Sequence, residues 1–347
     1  MAPTRFLIMC VRFKMKKLLK LVVFFIAKKL IFLAVFLFLT HGVAQAAEQK
    51  EYIFILKALS NPYWQALRDG AVETTEAAGI KATILSPTND AAKEEHLALC
   101  ETALQKKPAF LFIGPATTAI GLECMKRAQE KGIRVADIDA TVTLAEATDA
   151  KTDMVFTTGA DNSAIGEKVA EYVANHTPDK PHLKVLVIEG AIGSPPGMLR
   201  PEAFKKKLKE LKPDTEIVNS ISGDWDRMKG MQIATDTLTR TPDLDVIFAA
   251  NDMMAIGAAE AVKLAGKTEQ VMVIGVDGTP DARAAILNGT MTASLTQLPY
   301  LIGKRAVEMA FETEKGTLKN KAEYAQMIIL TKDVLTENKE PLLEYVR

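Results

Sequence analysis

Cysteine and histidine are scarce in this 347-residue chain, which has three of the first and four of the second. They form no set at metal-ligand spacing, which excludes a zinc-type structural site. Three catalytic signatures are also missing: the G-x-S-x-G elbow, the G-x-x-x-x-G-K-[ST] phosphate loop and the G-x-G-x-x-G dinucleotide fingerprint. Tryptophan occurs only twice, at Trp64 and Trp225. Acidic residues are absent from positions 1–46, which hold eight basic ones. The rest of the chain therefore has 35 Lys+Arg against 43 Asp+Glu, a net charge of −8. A nucleic-acid partner needs a basic face, so none is expected.

The acid-free N-terminal stretch has its own pattern. "MKKLLK" begins at Met15, the apolar run "LIFLAVFLFL" spans 30–39, and "GVAQAA" follows. A basic start, about ten apolar residues and a small-x-small site predict a secretory signal peptide over 1–46, cleaved after Ala46. Met15 is a better signal start than Met1. A spanning helix needs about 20 apolar residues, and Lys28-Lys29 divide the apolar blocks here. Cys10 precedes the apolar run, so it does not mark a lipid anchor. Cys100 and Cys124 each fall on a predicted helix, on either side of one strand. Export permits a disulfide between them, and two buried free thiols are the reading slightly preferred.

From Tyr52 onward the chain keeps one rhythm. Short apolar runs occur at 52–59, 81–86, 109–114, 134–139, 154–161, 183–190, 215–222, 246–252, 271–278 and 291–297. Amphipathic stretches separate them, starting near Pro62, Asp90, Thr117, Ser163, Gly197, Asp226, Met253 and Pro280. Near-continuous apolar strands alternating with helices predict parallel sheets covered on both faces. The weak stretch 141–153 interrupts the rhythm. The fold class expected is therefore α/β, with two doubly wound parallel-sheet lobes.

Ligands of such sheets bind beyond the carboxyl ends of the strands. Those ends carry Lys57, Asp139, Asp161-Asn162, Glu189, Asn251-Asp252, Asp277 and Gln297. The loops just beyond two strands, "SNPYW" (60–64) and "GDWDR" (223–227), hold the two tryptophans. Indole faces suit the C–H faces of a sugar ring, while carboxylates, amides and an arginine suit its hydroxyl edge.

"RVADIDAT" (134–141) places Asp137 and Asp139 two apart, in the manner of a phosphatase nucleophile and its acid/base partner. That chemistry would need Mg²⁺ and later carboxylates, and the motif should lie on an early strand rather than the fourth. Asp139 reads better as a hydroxyl acceptor at the strand tip, and Asp137 as structural. His96, His176 and His182 fall away from strand ends and are read as surface residues.

Several strings carry a family pattern in order along the chain. They are "LSNPYWQALRDGA" (59–71), "DNSAIGEKVAEYV" (161–173), "GDWDRMKGMQIATDTL" (223–238), "IFAANDMMAIGAAEAVKLAGK" (247–267) and "VMVIGVDGTPDARAAILNGTMTASLTQLPYLIG" (271–303). From about Tyr52 to Asp333 the chain resembles the periplasmic sugar-binding proteins of ABC transporters, in the ribose/allose branch of the type I periplasmic binding proteins. "LKALSNPYW" with Lys57, together with "GDWDR", is closer to the allose-binding members.

The resemblance implies a two-lobe clamp with a three-crossing hinge. One lobe would be 47–160 plus 298–325, the other 161–297 plus 326–347. It implies Lys57, Asn61, Tyr63, Trp64 and Asp139 as ligand contacts from the first lobe. From the second it implies Arg200, Trp225, Asn251 and Asp277, with Gln297 at a hinge crossing and Arg200 at a helix start. A monomer without enzymatic activity or cofactor is expected, located in the periplasm. Its ligand would be a monosaccharide and its partner an ABC transporter permease. The alternative role is a sugar receptor for a membrane sensor or chemoreceptor.

Three features depart from the ribose-type pattern. Ala140 follows Asp139 where an arginine is usual, Gly114 ends the third strand where an asparagine is usual, and the loop 190–204 carries three prolines. Lys57 is expected to replace one of the lost donors.

Overall fold

The computed structural model describes residues 28–29, 49–90 and 92–346. The expected signal peptide and its cleavage after Ala46 lie outside the described residues, apart from Lys28 and Lys29, which are helical and exposed. The elements below all belong to the unit that starts at Lys50.

Two six-stranded sheets form the frame. The first contains β1 (Glu51–Ile55), β2 (Lys81–Leu85), β3 (Phe110–Ile113), β4 (Val135–Asp137), β5 (Met154–Gly159) and β11 (Ala322–Tyr324), in the order β11-β5-β4-β3-β1-β2. The second contains β6 (Lys184–Glu189), β7 (Glu216–Ser222), β8 (Val246–Ala249), β9 (Met272–Val276), β10 (Ala293–Thr296) and β12 (Ile328–Leu330), in the order β12-β10-β9-β8-β6-β7. All pairings are parallel except β10 with β12.

The ten apolar runs therefore supply five strands to each sheet, and β11 and β12 complete them. These last strands are three residues long and half-exposed, too short for a periodic signal. The antiparallel β12 corrects the expectation of purely parallel sheets.

Helices alternate with the strands. They are α1 (Pro62–Ala77), α2 (Lys93–Gln105), α3 (Thr118–Glu130), α4 (Leu144–Asp149), α5 (Asn162–His176), α6 (Pro195–Leu211), α7 (Arg227–Arg240), α8 (Asp252–Leu264), α9 (Pro280–Leu287), α10 (Pro299–Glu314) and α11 (Lys332–Glu337). The interrupting stretch 141–153 contains α4, closed by a capping box between Thr143 and Glu146.

The chain passes between sheets three times: from β5 into α5, from β10 into α10, and from β11 to β12. Each sheet is buried on both faces. Phe54, Phe110, Phe112 and Phe156 pack with α1 and α10 on one face of the first sheet, and Phe204 and Phe248 with α5 and α6 on one face of the second.

Helix starts cluster at the strand carboxyl ends because each helix there needs its free N–H groups satisfied. Asn61, Thr117, Asp161, Asp226, Asn251 and Thr279 do this, each accepting from a backbone N–H with its side-chain oxygen. At Gly166 in α5 the backbone of α6 comes so close that an added Cβ would lie 2.2 Å from the Arg200 carbonyl oxygen. That approach sets the position of Arg200, the sixth residue of α6 rather than a helix-start residue.

Two sequence readings are corrected. Cys100 on α2 and Cys124 on α3 form a disulfide, with Cα atoms 5.9 Å apart, in place of the preferred pair of free thiols. Both helices pack on the same face of the first sheet, which brings the thiols together. His96 is fully buried rather than on the surface. It lies one turn before Cys100 on α2, so the same face turns inward.

Candidate functional site

One cleft gathers Lys57, Asn61, Tyr63, Trp64 and Asp139 from the first sheet's side with Arg200, Trp225, Asn251, Asp277 and Gln297 from the second. All ten residues expected at the site are in it. Asp90 and Pro196 line it too. Asp90 follows β2, and its place beyond a strand end marks it as a site residue as well as the approximate start of an amphipathic stretch. Pro196 sits in the first turn of α6 and carries no such signal.

On the first side, Lys57 is the hub. Its Nζ donates to Asp139 Oδ2 at 2.7 Å and lies 5.2 Å from the Trp64 ring centroid. Thr141 Oγ1 also donates to Asp139 Oδ2, at 3.0 Å. Asp137 is structural: its carboxylate accepts from the backbone N–H groups of Asp139, Thr141 and Val142 and folds the strand exit around itself. Burial nevertheless pushes its carboxyl up to about 7. Asp137 is therefore occupied by its own loop, and no cluster of three or more metal-ligating side chains occurs among the described residues. Asp90 Oδ1 accepts from Ala58 N–H at 2.7 Å, holding the loop before α1. Burial raises its pKa, opposed by the charge of Lys57.

On the second side the hub is Arg200. Its Nε donates to Asn162 Oδ1 (2.9 Å), Nη1 to the Ala250 carbonyl (2.8 Å) and Nη2 to Gln297 Oε1 (3.1 Å). Gln297 Nε2 donates to Asp277 Oδ1 at 2.9 Å, and that oxygen is 3.9 Å from Arg200 Nη1. Burial raises the Asp277 pKa well above its usual range, and Arg200 pulls it back. Asp277 has φ +127°, and Asp224 and Trp225 have φ +51° and +65°. Backbone strain of this kind is concentrated at functional sites.

Two donors in the cleft are fully buried and have no protein partner. The amide oxygen of Asn251 caps α8 by accepting from Met254 N–H, but its buried Nδ2 is unpaired. Tyr63 Oη is likewise buried and unpaired, and burial holds its phenol protonated. Buried polar atoms are rarely left without partners. The space between these side chains is only about 30 Å³, room for roughly two waters, so the cleft is closed. A larger hollow of about 620 Å³ lies elsewhere, among Leu144, Met154, Leu318 and Lys321. None of the unpaired buried polar atoms lies in it.

A family model described as a periplasmic binding protein domain matches residues 52–317. The chain belongs to the periplasmic binding protein family. Among its relatives, the D-allose-binding periplasmic protein of Escherichia coli (strain K12) is 32% identical over 270 residues, covering 77% of this chain and 85% of that protein. The ribose import binding protein of the same organism is 32% identical over 290 residues, covering 83% and 93%. A crystal structure of an ABC transporter periplasmic solute binding protein from Actinobacillus succinogenes 130z, with bound D-allose, is similar at TM-score 0.77 and 28% identity. It covers 83% of this chain and 100% of that one.

Members of this family bind rather than transform their ligands. The cleft of this periplasmic binding protein agrees with that chemistry, because its carboxylates are committed to Lys57, Arg200, Gln297 or backbone N–H groups.

Proposed function

We propose that this periplasmic binding protein captures a monosaccharide between its two lobes and delivers it to an ABC importer in the inner membrane. The observation that carries this is the pair of unpaired buried donors, Tyr63 Oη and Asn251 Nδ2, one from each side of a single cleft. A ligand with acceptor oxygens on opposite edges would satisfy both at once. Sugar hydroxyls do so, and they also donate to carboxylates such as Asp139 and Asp277.

The ten residues Lys57, Asn61, Tyr63, Trp64, Asp139, Arg200, Trp225, Asn251, Asp277 and Gln297 form the ligand site in this reading. The two indoles contact the apolar ring faces, and the polar groups read the hydroxyl edge. In the closed cleft the side chains bond to one another, Lys57 to Asp139 and Arg200 to Gln297. Ligand hydroxyls take over part of these bonds after the lobes part and close again. Contacts to both lobes favour the closed form, which the importer permease recognises.

The lobes run 47–160 plus 298–325 and 161–297 plus 326–347. The chain is exported, cleaved after Ala46, and works as a monomer in the periplasm with an affinity near 1 µM, about −8 kcal/mol.

The test is a thermal-shift screen of residues 47–347 after unfolding and refolding. The panel is ribose, allose, psicose, xylose, arabinose, galactose, glucose, inositol and several polyols. A ligand that binds only the folded state raises the melting temperature. One clear hit followed by saturable, product-free binding supports the proposal, and no response to any sugar refutes it.

A further inference from the structure

The two tryptophans share a packing arrangement that neither loop's sequence displays. Trp64 lies in the first turn of α1, just beyond β1, and packs over Gly114, the residue after β3, the strand paired with β1. A Cβ added to Gly114 would sit 2.8 Å and 2.9 Å from two carbons of the outer edge of the Trp64 indole. Trp225 enters from the loop after β7 and lies over Gly190, the residue after β6, the strand paired with β7. A Cβ there would sit 2.2 Å and 2.3 Å from Cη2 and Cζ2 of the Trp225 indole, the neighbouring edge of the same six-membered ring. In each sheet, an indole from beyond one strand's exit rests on the glycine just after its neighbour.

We propose that Gly114 and Gly190 are specificity-determining positions, ledges that set how deeply each indole sits and so the thickness of the slot left for a ring-shaped ligand. This rests on the sugar-binding reading of the cleft.

Neighbouring side chains crowd the Trp64 indole on its other sides. Tyr63 stands edge-on to Trp64 with ring centroids 5.0 Å apart, and Lys57 Nζ is 5.2 Å from its ring. Trp64 itself is 3% exposed. A methyl at 114 therefore pushes the ring toward the cavity, or toward the Lys57–Asp139 pair that borders it. Trp225 is half-buried and constrained differently. Its own backbone is in the left-handed region, and Gly190 also packs against Gly197 of α6, whose Cα a Cβ at 190 would approach to 2.6 Å. Gly114 stands where an amide is usual in the ribose-type pattern. Any side chain there would share its space with the indole, so the ledge and an amide donor are alternatives.

The experiment has two arms. In the first, calorimetry with D-allose and D-ribose compares the mature chain with Gly114→Ala, Gly190→Ala, Trp64→Phe and Gly114→Ala/Trp64→Phe. Gly114→Ala is expected to weaken binding of the better sugar about tenfold and, because the added methyl overpacks a buried ring, to lower the melting temperature by roughly 2–12 °C. In the Trp64→Phe background the same glycine substitution is expected to have little effect, because the smaller ring clears the methyl. Wild-type affinity in both glycine variants, or equal losses with and without Trp64, would overturn the proposal.

The second arm needs no sugar. In a Trp225→Phe background all tryptophan emission comes from Trp64, and Gly114→Ala should shift its wavelength. Unchanged emission would overturn the ledge even for a protein that binds both sugars. If the unmodified chain binds no sugar of the wider panel, the monosaccharide reading falls, and the emission arm still decides the ledge.

Discussion

Replacing Arg200 by alanine tests the second half of the site most directly. The guanidinium is buried and engages Asn162, the Ala250 carbonyl and Gln297, with the Asp277 carboxylate at 3.9 Å. Alanine leaves three acceptors unpaired and a buried carboxylate without its cation. Removing one partner of a buried ionic network costs about 3–5 kcal/mol. Asp277 softens the loss, because burial already raises its pKa and, without Arg200, it can take up a proton. The low end, about 3 kcal/mol, is therefore expected. At roughly 2–4 °C per kcal/mol for a domain of this size, the melting temperature falls by about 6–12 °C. Ligand affinity falls at least tenfold, about 1.4 kcal/mol, since Gln297 and Asp277 lose their fixed positions. Arg200→Lys keeps the charge but not the fork, and should lie between the two. Differential scanning calorimetry and ligand titration measure both quantities. A melting temperature within about 1 °C of wild type together with unchanged affinity would refute the reasoning.

Other perturbations test separate parts of the argument. His96 is buried, both ring nitrogens lack partners, and burial with the Lys57 charge lowers its pKa to about 4. Between about pH 4 and 6.5 the unfolded chain binds the extra proton, so this group's share of stability is intact above 6.5 and is lost as pH falls through 4. His96→Leu should thus gain on wild type by up to about 3 kcal/mol on going from pH 7.5 to 4.5; an equal difference at both pH values in denaturant melts would contradict this. Replacing Cys100 and Cys124 by serine opens a cross-link spanning 24 residues and should cost about 3 kcal/mol. Affinity should be unchanged in that variant, because neither cysteine lines the cleft; a loss of binding would show that α2 positions the site. Trp64→Ala should weaken sugar binding at least tenfold in titration calorimetry, and full affinity would place the ring outside the ligand's reach.

The alternation of apolar runs and amphipathic stretches was enough to read the architecture. It works because a strand buried on both faces must be apolar throughout, and a helix covering it must be apolar on one side only. The site was legible for a related reason. Parallel strands end on one rim, so the polar residues that close them, Lys57, Asp139, Asn251 and Asp277 among them, arrive at one cleft. The capping residues were less transparent. Asn61 and Asn251 look alike in sequence, yet only Asn251 leaves an unpaired nitrogen in the cleft.

Sequence by itself thus determined the class of fold, and the family resemblance implied the ten residues that meet at the cleft; nine of them also stand out as strand-end or loop residues, whereas Arg200, inside α6, rests on the resemblance alone. The tertiary structure alone decided which of them are bonded to one another. Arg200 and Gln297 are 97 positions apart, and their pairing depends on how α6 packs against the strand β10 that precedes Gln297. Likewise the joining of Cys100 to Cys124, the burial of His96 and the seating of each indole on a neighbour's glycine depend on how helices and strands distant in sequence pack. No periodicity records those contacts, since they are set by close packing among elements rather than within one.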